Sequence, residues 1–557
     1  MNFQTLHLRD RQVPHTGRCI QALATSHCFV DTSKMGCGKT PVWVYVALYY
    51  GLPILVVTIV NAEIAWRRET QKYGANLLAV ITFQSLRSTR GKQPKHGLLT
   101  RIDSKTDDGT DIVRFEPTEK LRTMIQNGVL VVFDECQKIK NKSDQWRACE
   151  AIASCVVNSG RSRLALLSGA PYDKEKHVIN LLRLMAYIRH HRLFTHHQQS
   201  GELELLGAQE LINSCSRINQ AVTEETVRLY PLNPRNVEGL CYQLWLKVLK
   251  PNIVSAMPAP QIAATQTCHN GYYNLPEEEA EALSLAIADL SQATRFSETE
   301  GIRGREVNWG ALTKALQKTE LSKVPLLTRL AQQDLAADPL CKVLIFVNFS
   351  DPLGKLTTAL DRYRPLVLDG KTTLKNRRRV CELYQTDDNY RLLIANMEVG
   401  GTSIDLHDLV GGRTRRVYFS TSSYKMLEYY QATGRTHRDG ALSDTNIFFV
   451  YGKIARKETS IINALSRKGK VMRELLDEEV KANIKFPDEY PIYEEPDVLG
   501  SPERTAVTDV RAMASPARSP ILRLISPRGP TTPGSVPLQQ AIRTGNMTGV
   551  MSALRLQ

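Results

Sequence analysis

Among eleven cysteines the chain has no pair at C-x-x-C spacing. It also has no apolar run near the about 20 residues that span a bilayer, and its first residues, "MNFQTLHLRDRQ", are charged where a signal peptide would be apolar. The first absence excludes a zinc ribbon and a disulfide framework and fits a reducing compartment. The others imply an intracellular, soluble protein without a membrane partner. Acidic residues are in deficit, 57 against 72 Lys and Arg, and the resulting +15 favours a polyanionic partner, although such charge also serves solubility. The histidines of "RHHRLFTHH", His190, His191, His196 and His197, lack a nearby cysteine or acidic ligand at a standard spacing. They read as a solvated helix face rather than a metal site.

What is present is a length of 557 residues with 42% hydrophobic content, enough for several cores and, by length, roughly three or four domains. Short apolar runs rich in β-branched residues alternate with longer helical patterns, as when buried parallel strands are joined by crossover helices. "PILVVTIV" (53–60), "GVLVVFDE" (128–135) and "RLALLSGAP" (163–171) are expected as strands. Each ends in a polar or glycine-containing turn, and ligands of open α/β sheets bind outside such strand ends. Residues 1–175 are therefore expected as one nucleotide-binding α/β domain. From 176 to 335 the periodicity is helical, as in "EEEAEALSLAIADLSQATRF", and a mainly helical insertion is expected. Strand patterns return in "KVLIFVN" (342–348), "RLLIAN" (391–396), "RVYFS" (416–420) and "NIFFVYG" (446–452), so 336–495 is expected as a second α/β domain. Residues 496–557, rich in proline, serine and isolated arginines, are expected as a basic disordered tail with room for a short helix near the end.

Three stretches carry chemistry. "DTSKMGCGKT" (31–40) offers Gly36 and Gly38, which free backbone N–H groups to face an anion, then Lys39 for charge and Thr40 for magnesium. Ser33 stands where the usual distal glycine would be, and a glycine-rich bend in an ordinary loop is the alternative. "VVFDECQKIKN" is a buried strand ending in Asp134 and Glu135. In ATP hydrolysis one such carboxylate holds magnesium and the other accepts a proton from water, while the alternative is a surface turn with two acids. "QATGRTHRDG" holds Gln431, Gly434, Arg435 and Arg438 in a segment that reads as helical. Arginines three apart project from nearly one face and suit a single phosphate group, unless the helix is merely basic and solvated.

As an ordered series these stretches resemble the motifs of superfamily-two helicases and translocases, nearest to the chromatin-remodeller (Swi/Snf-like) branch. "LRDRQ" resembles its L-R-x-x-Q, and "SKMGCGKT" is similar to its D-E-M-G-L-G-K-T. "PILVVTIVNAEIAWRRETQKYG" resembles its strand and W-x-x-E segment, and "VVFDECQKIKN" its D-E-A-H-x-I-K-N. "LLSGAPYDKEKHVINLLRLM" is similar to the S/T-G-T-P linkage motif, "VLIFVNF" to the first strand of the second lobe, and "QATGRTHRDG" to Q-A-x-G-R-x-H-R-x-G. "VLDGKTTLKNRRRVCELYQ" and "NMEVGGTSIDLHD" continue the likeness, which covers about residues 6–175 and 340–455. Large cytoplasmic DNA viruses, iridoviruses among them, encode compact proteins of this kind.

The resemblance implies an α/β fold of two RecA-like P-loop domains in tandem, with ATP and Mg2+ as cofactors. Gln12 would read the adenine; Ser33, Lys34, Met35, Gly36, Cys37, Gly38, Lys39 and Thr40 would form the phosphate loop; Asp405 would touch the ribose. Thr40 and Asp134 would hold magnesium, Glu135 would act as general base, and Gln431, Arg435 and Arg438 would come from the opposite lobe. Ser85, Gly401 and Thr402 would contact a nucleic-acid backbone, DNA rather than RNA. A viral origin would place the protein in host cytoplasm or nucleus, or in the virion. Departures from the pattern are Cys136, Gln137 for histidine, Ala170 for threonine, Asp405 for asparagine and Ala441 for glutamine. None removes a catalytic group. The expected activity is ATP-dependent translocation, duplex DNA being the track, with a strand-separating DNA or RNA helicase and a catalytically weak DNA-binding scaffold as rivals. Trp66 reads as a packing residue rather than a base-stacking platform. "KNRRR" (375–379) reads equally as a phosphate contact or an exposed helix start, and "GGRTRR" (411–416) as charge for solubility.

Overall fold

The described residues fall within Met1–Glu495, one compact unit. The computed structural model describes residues 8–34, 36–105, 111–197, 202–230, 235–258, 260–298, 309–401, 404–454, 458–474 and 489–495. Met35, Thr402 and the expected tail at 496–557 lie outside the described residues.

Alternate side chains of the apolar runs face opposite sides of a sheet, so a run apolar throughout must be covered on both faces. In the first lobe the strands are β1 (Cys28–Asp31), β2 (Ile54–Thr58), β3 (Leu77–Thr82), β4 (Leu99–Lys105), β5 (Asp111–Pro117), β6 (Leu130–Asp134), β7 (Arg163–Leu167), β8 (Phe194–His196), β9 (Leu203–Leu205) and β10 (Val254–Ser255). Six of them form a parallel sheet in the order β10-β1-β7-β6-β2-β3, while β4-β5 and β8-β9 are antiparallel hairpins. Leu55, Val57, Val131, Phe133, Leu164 and Leu166 pack on one face with the helix Asp144–Ser159. Val56, Leu130, Val132 and Leu167 pack on the other, against the helices Gln12–Thr25 and Lys39–Tyr50. Each fully buried aliphatic side chain contributes about 1.5–3 kcal/mol.

The second lobe is built the same way from β11 (Gln266–Tyr273), β12 (Lys342–Val347), β13 (Leu366–Leu368), β14 (Leu392–Asn396), β15 (Arg415–Phe419), β16 (Thr445–Gly452) and β17 (Ile492–Glu494). All are parallel, in the order β13-β14-β12-β15-β16-β11-β17. Leu344 and Phe346 enter one core, Val343, Ile345 and Val347 the other. These are the two RecA-like lobes that the sequence leads one to expect.

The stretch 176–335 is mainly helical but does not stand apart as an insertion. Its helices from Glu175–Leu184 to Lys250–Ile253 share the first lobe's core, and β10 extends that lobe's sheet beside β1. From β11 onward it belongs to the second sheet, where the helices Glu277–Glu298, Trp309–Ser322 and Val324–Ala337 pack. The strand signals were weak for a physical reason: β10 has two residues, and β11, "QTCHNGYY", carries polar residues where buried strands carry aliphatic ones. The histidine stretch is also no helix face, since Phe194–His196 is β8. Among the described residues no group of three His, Cys, Asp or Glu could hold a metal, and no helix is long and apolar enough to cross a membrane.

Register sets the height of the chemistry. Asp31 on β1 and Asp134 on β6 both lie level with Leu167 of β7, the strand between them. The glycine-rich loop and the acid pair therefore leave the sheet side by side, at its carboxyl edge.

Candidate active site

After β1 the chain turns through residues 32–38 into the helix Lys39–Tyr50, with Gly38 as its N-cap. Gly36 and Gly38 have φ of 81° and 83°, values that suit glycine, and the Cys37 N–H between them donates to Lys34 O at 3.3 Å. A Cβ at Gly38 would also lie 2.5 Å from Gln12 Nε2. Lys39 Nζ donates to the carbonyls of Ser33 at 2.9 Å and Lys34 at 3.3 Å, curled over the hollow that a phosphate group would fill. A glycine turn running into a helix N-terminus is the kind of arrangement that suits an anion.

Beneath the loop lies a buried polar cluster that has no counterpart in the sequence reading. Asp31 accepts from the Ser33 backbone N–H (2.9 Å) and from Trp43 Nε1 (2.9 Å), and His15 Nε2 sits 3.1 Å away. Burial pushes the Asp31 carboxyl up, but His15, Lys39 and these donors outweigh it and hold it well below the usual carboxylate range. β10 braces the same loop: Thr32 N donates to Ser255 O (2.9 Å), His15 Nδ1 lies 3.2 Å from Ser255 Oγ, and Met257 N donates to Ser33 Oγ (2.8 Å).

At the end of β6, Asp134 accepts from Trp66 Nε1 (2.9 Å), Thr58 Oγ1 (3.2 Å) and the Glu135 N–H (3.0 Å). Burial, and then the neighbouring Glu135, push its carboxyl up to about 6. Glu135 has a left-handed backbone, φ 58°, and its Oε2 accepts from Gln137 Nε2 at 2.5 Å. Such a conformation costs a non-glycine residue about 1–2 kcal/mol, so the surroundings must hold it. Gln137 keeps the hydrogen-bonding capacity of the histidine it replaces and spends it on Glu135. Trp66 is fully buried, as a packing residue should be, yet its indole also fixes a carboxylate. A partner of that kind typically tunes metal affinity 10–100-fold. With Asp134 as the magnesium ligand the motif series implies, Trp66→Phe would raise the magnesium concentration for half-maximal ATP turnover by about 10–100-fold, measured in a magnesium titration, with the fold intact by circular dichroism. An unchanged midpoint would contradict the assignment.

The second lobe meets this edge. The helix Met426–Thr433 buries Gln431 and ends at Gly434, so Arg435 and Arg438 lie in the turns after it and not on a helical face. Anchors aim them instead. Arg435, 1% exposed, donates through Nε to Gly401 O (2.9 Å) and through Nη1 to Ile404 O (3.4 Å). Arg438 donates through Nε to Gly434 O (2.9 Å) and pairs with Asp405, a half-exposed residue. Its Cδ would lie 3.6 Å from a Cβ at Gly36, and Tyr430 comes similarly close to Gly169 of the "SGAP" turn. Burial first, and Arg438 next, push the Arg435 guanidinium down, while Glu135 and Asp405 oppose. Arg9 and Arg11 of the first lobe pair with Asp439, Arg11 at 3.0 Å.

The two sheets are joined through 256–265, and this connector is tied at both ends. Ala256 O accepts from Arg18 (3.2 Å) and Met257 N reaches Ser33, while His437 Nε2 lies 2.8 Å from Ala264 O and Thr265 N donates to Asp444 (2.7 Å).

A cleft of about 720 Å³ opens between the lobes, with Thr58, Phe83 and Gln84 on one wall and Lys371, Thr373 and Arg377 on the other. Ser85 is exposed on the helix Phe83–Arg87, whose cap is Thr82. Gly401 is buried, a Cβ there would meet Met397 O at 2.5 Å, and its carbonyl accepts from Arg435. Arg377 of "KNRRR" lines the cleft. Arg415 of "GGRTRR" is no solubility charge: it is fully buried, with Nε on Leu406 O (3.1 Å).

Residues 324–440 match the family "Helicase conserved C-terminal domain". A curated relative from Acanthamoeba polyphaga mimivirus, named "Putative ATP-dependent RNA helicase L364", is 20% identical over 472 residues, covering 84% of this chain and 83% of its own length. Among solved structures, the C-terminal part of the Fun30 ATPase domain is 15% identical, covers 38% of this chain and 96% of its own, and superposes with a TM-score of 0.29.

Proposed function

We propose that this chain, a superfamily-two helicase by its ordered motifs and its helicase C-terminal domain, hydrolyses ATP where its two lobes meet and uses the cycle to move along nucleic acid, with duplex DNA as the track. One observation carries the reading: the side chain of Arg438, from the second lobe, lies against Gly36 of the first lobe's phosphate loop.

The residues fit the cofactor and substrate. Lys39 would exchange its loop carbonyls for the β and γ phosphates, and Gln12, which donates to the Gly38 carbonyl, would read the adenine. Thr40 and Asp134 would hold magnesium, which neutralises charge on the triphosphate. Glu135, positioned by Gln137, would take the proton from the attacking water. Arg435 and Arg438, two buried or half-buried cations that repel one another and are partly offset by Glu135 and Asp405, would gain further counter-charge from the γ-phosphate. Hydrolysis would remove that counter-charge, loosen the lobes, and shift the grip on a backbone in the interlobe cleft.

The mimivirus relative's name supports a second reading, strand separation on RNA, and fits a viral origin. The deciding experiment is ATP turnover titrated with duplex DNA, single-stranded DNA and RNA across a salt series, since backbone contacts are salt-sensitive, together with displacement of forked and blunt duplexes. Stimulation by duplex DNA without strand displacement is expected. Stimulation by RNA alone, with displacement, would replace the first reading by the second.

A further inference from the structure

The first lobe carries a second groove, of about 700 Å³, outside the interlobe cleft. Its walls are β5, the helix Asp144–Ser159 and the turn after the helix Glu175–Leu184. Five cations line it, Arg114, Lys142, Arg147, Arg183 and Arg189, against two carboxylates, Glu116 and Glu150. Arg147 is partly neutralised by Asp144 at 3.0 Å. Lys142, by contrast, sits over the Trp146 ring at 5.9 Å, and Arg183 directs its guanidinium to the carbonyls of His190 and His191, which are neutral. Cations outnumber carboxylates in the lining: burial first, then Arg183 and Arg147, push the Lys142 ammonium down, while Glu150 opposes.

The groove is built rather than incidental. Arg101, nearly buried, joins the β4–β5 hairpin to Asp144 (3.3 Å) and to the carbonyl of Arg87 (3.0 Å). Glu210 accepts from the N–H groups of Arg189 (2.6 Å) and His190 (2.9 Å) and so fixes the turn that presents Arg189. The Phe115 and Trp146 rings below are buried, and the exposed His191 ring at the rim packs beside His190 at 4.5 Å. Exposed cations of this kind recognise phosphates and not sequence.

The start of the helix Asp144–Ser159 is shared by both cavities. Lys138 and Gln145 line the interlobe cleft, while Lys142, Trp146 and Arg147 line the groove. We propose that the groove is a second phosphate-backbone site, which takes nucleic acid extending past the interlobe cleft over this helix. The inference rests on the nucleic-acid reading above and adds to it a longer footprint on the first lobe.

The test uses the full chain with Arg114→Gln, Lys142→Gln and Arg189→Gln combined, three cations away from the ATP site. Binding of fluorescent nucleic acid is measured over a salt series in two lengths, one confined to the cleft and one extending beyond it. For the long form the triple variant is expected to lose about tenfold or more in affinity and to flatten the log–log salt slope by about 0.9 for each lost contact with a duplex. Affinity for the short form, and ATP hydrolysis without nucleic acid, are expected to stay unchanged. Equal affinity and slope for the long form would overturn the groove assignment while leaving the cleft reading intact. If the unaltered protein binds neither length, both fall.

Discussion

Alanine at Arg435 or Arg438 is expected to lower ATP turnover by about 10³–10⁵-fold, the range found when a cationic finger is removed from phosphoryl transfer. The two positions differ in what else they disturb. Arg435 is buried and satisfies the carbonyls of Gly401 and Ile404, so its removal also leaves acceptors unpaired, at about 1–3 kcal/mol each. Thermal unfolding must be followed in parallel there. Arg438 is the cleaner test, because its carboxylate partner Asp405 is half-exposed and can turn to water. Lysine at either position keeps the charge but loses the planar fork, and recovery of turnover by lysine should be small. Single-turnover phosphate release measures the effect, with nucleotide affinity determined separately. An Arg438→Ala protein that keeps its turnover within a few-fold would remove the second lobe from the chemistry.

Glu135→Gln should reduce turnover by about 10²–10⁴-fold and leave ATP binding in place. The amide is close in size to the carboxylate, imposes no new demand on the left-handed backbone, and still offers Gln137 an acceptor, but it takes no proton from water. Lys39 and Asp134, which face the phosphates and the metal in the proposed site, are untouched. Retained nucleotide affinity with lost phosphate release is the expected pair of results. If the unaltered protein releases no more phosphate than this variant, the chain is a scaffold and not a motor.

The parts of the site that could be read from sequence are those whose chemistry demands particular residues in one short stretch. Gly36, Gly38 and Lys39 sit within four positions, and Asp134 with Glu135 closes an apolar strand. The supporting shell could not be read this way. His15, Asp31, Trp43 and Ser255 meet under the loop from four distant places, and nothing local to any of them marks the contact. Trp66 was legible as a core residue but not as the donor that holds Asp134, because packing and hydrogen bonding use different edges of one ring. The arginine segment is shaped otherwise than its spacing suggests: i, i+3 spacing points to a helical face, whereas Gly434 ends the helix and backbone carbonyls aim the side chains. The strands of both lobes were plain wherever aliphatic residues fill them, and β11 was hidden because it is accepted between β16 and β17 with histidine, asparagine and glycine in its sequence.

The tie through residues 256–265 gives the hinge an unusual path. It is fastened at one end to Ser33 in the nucleotide loop and at the other to the turn bearing His437, between the two arginines. The two fastenings fall on opposite halves, so any swing between the halves would load both, and the backbone itself would carry a displacement of the glycine-rich loop to the turn between the arginines.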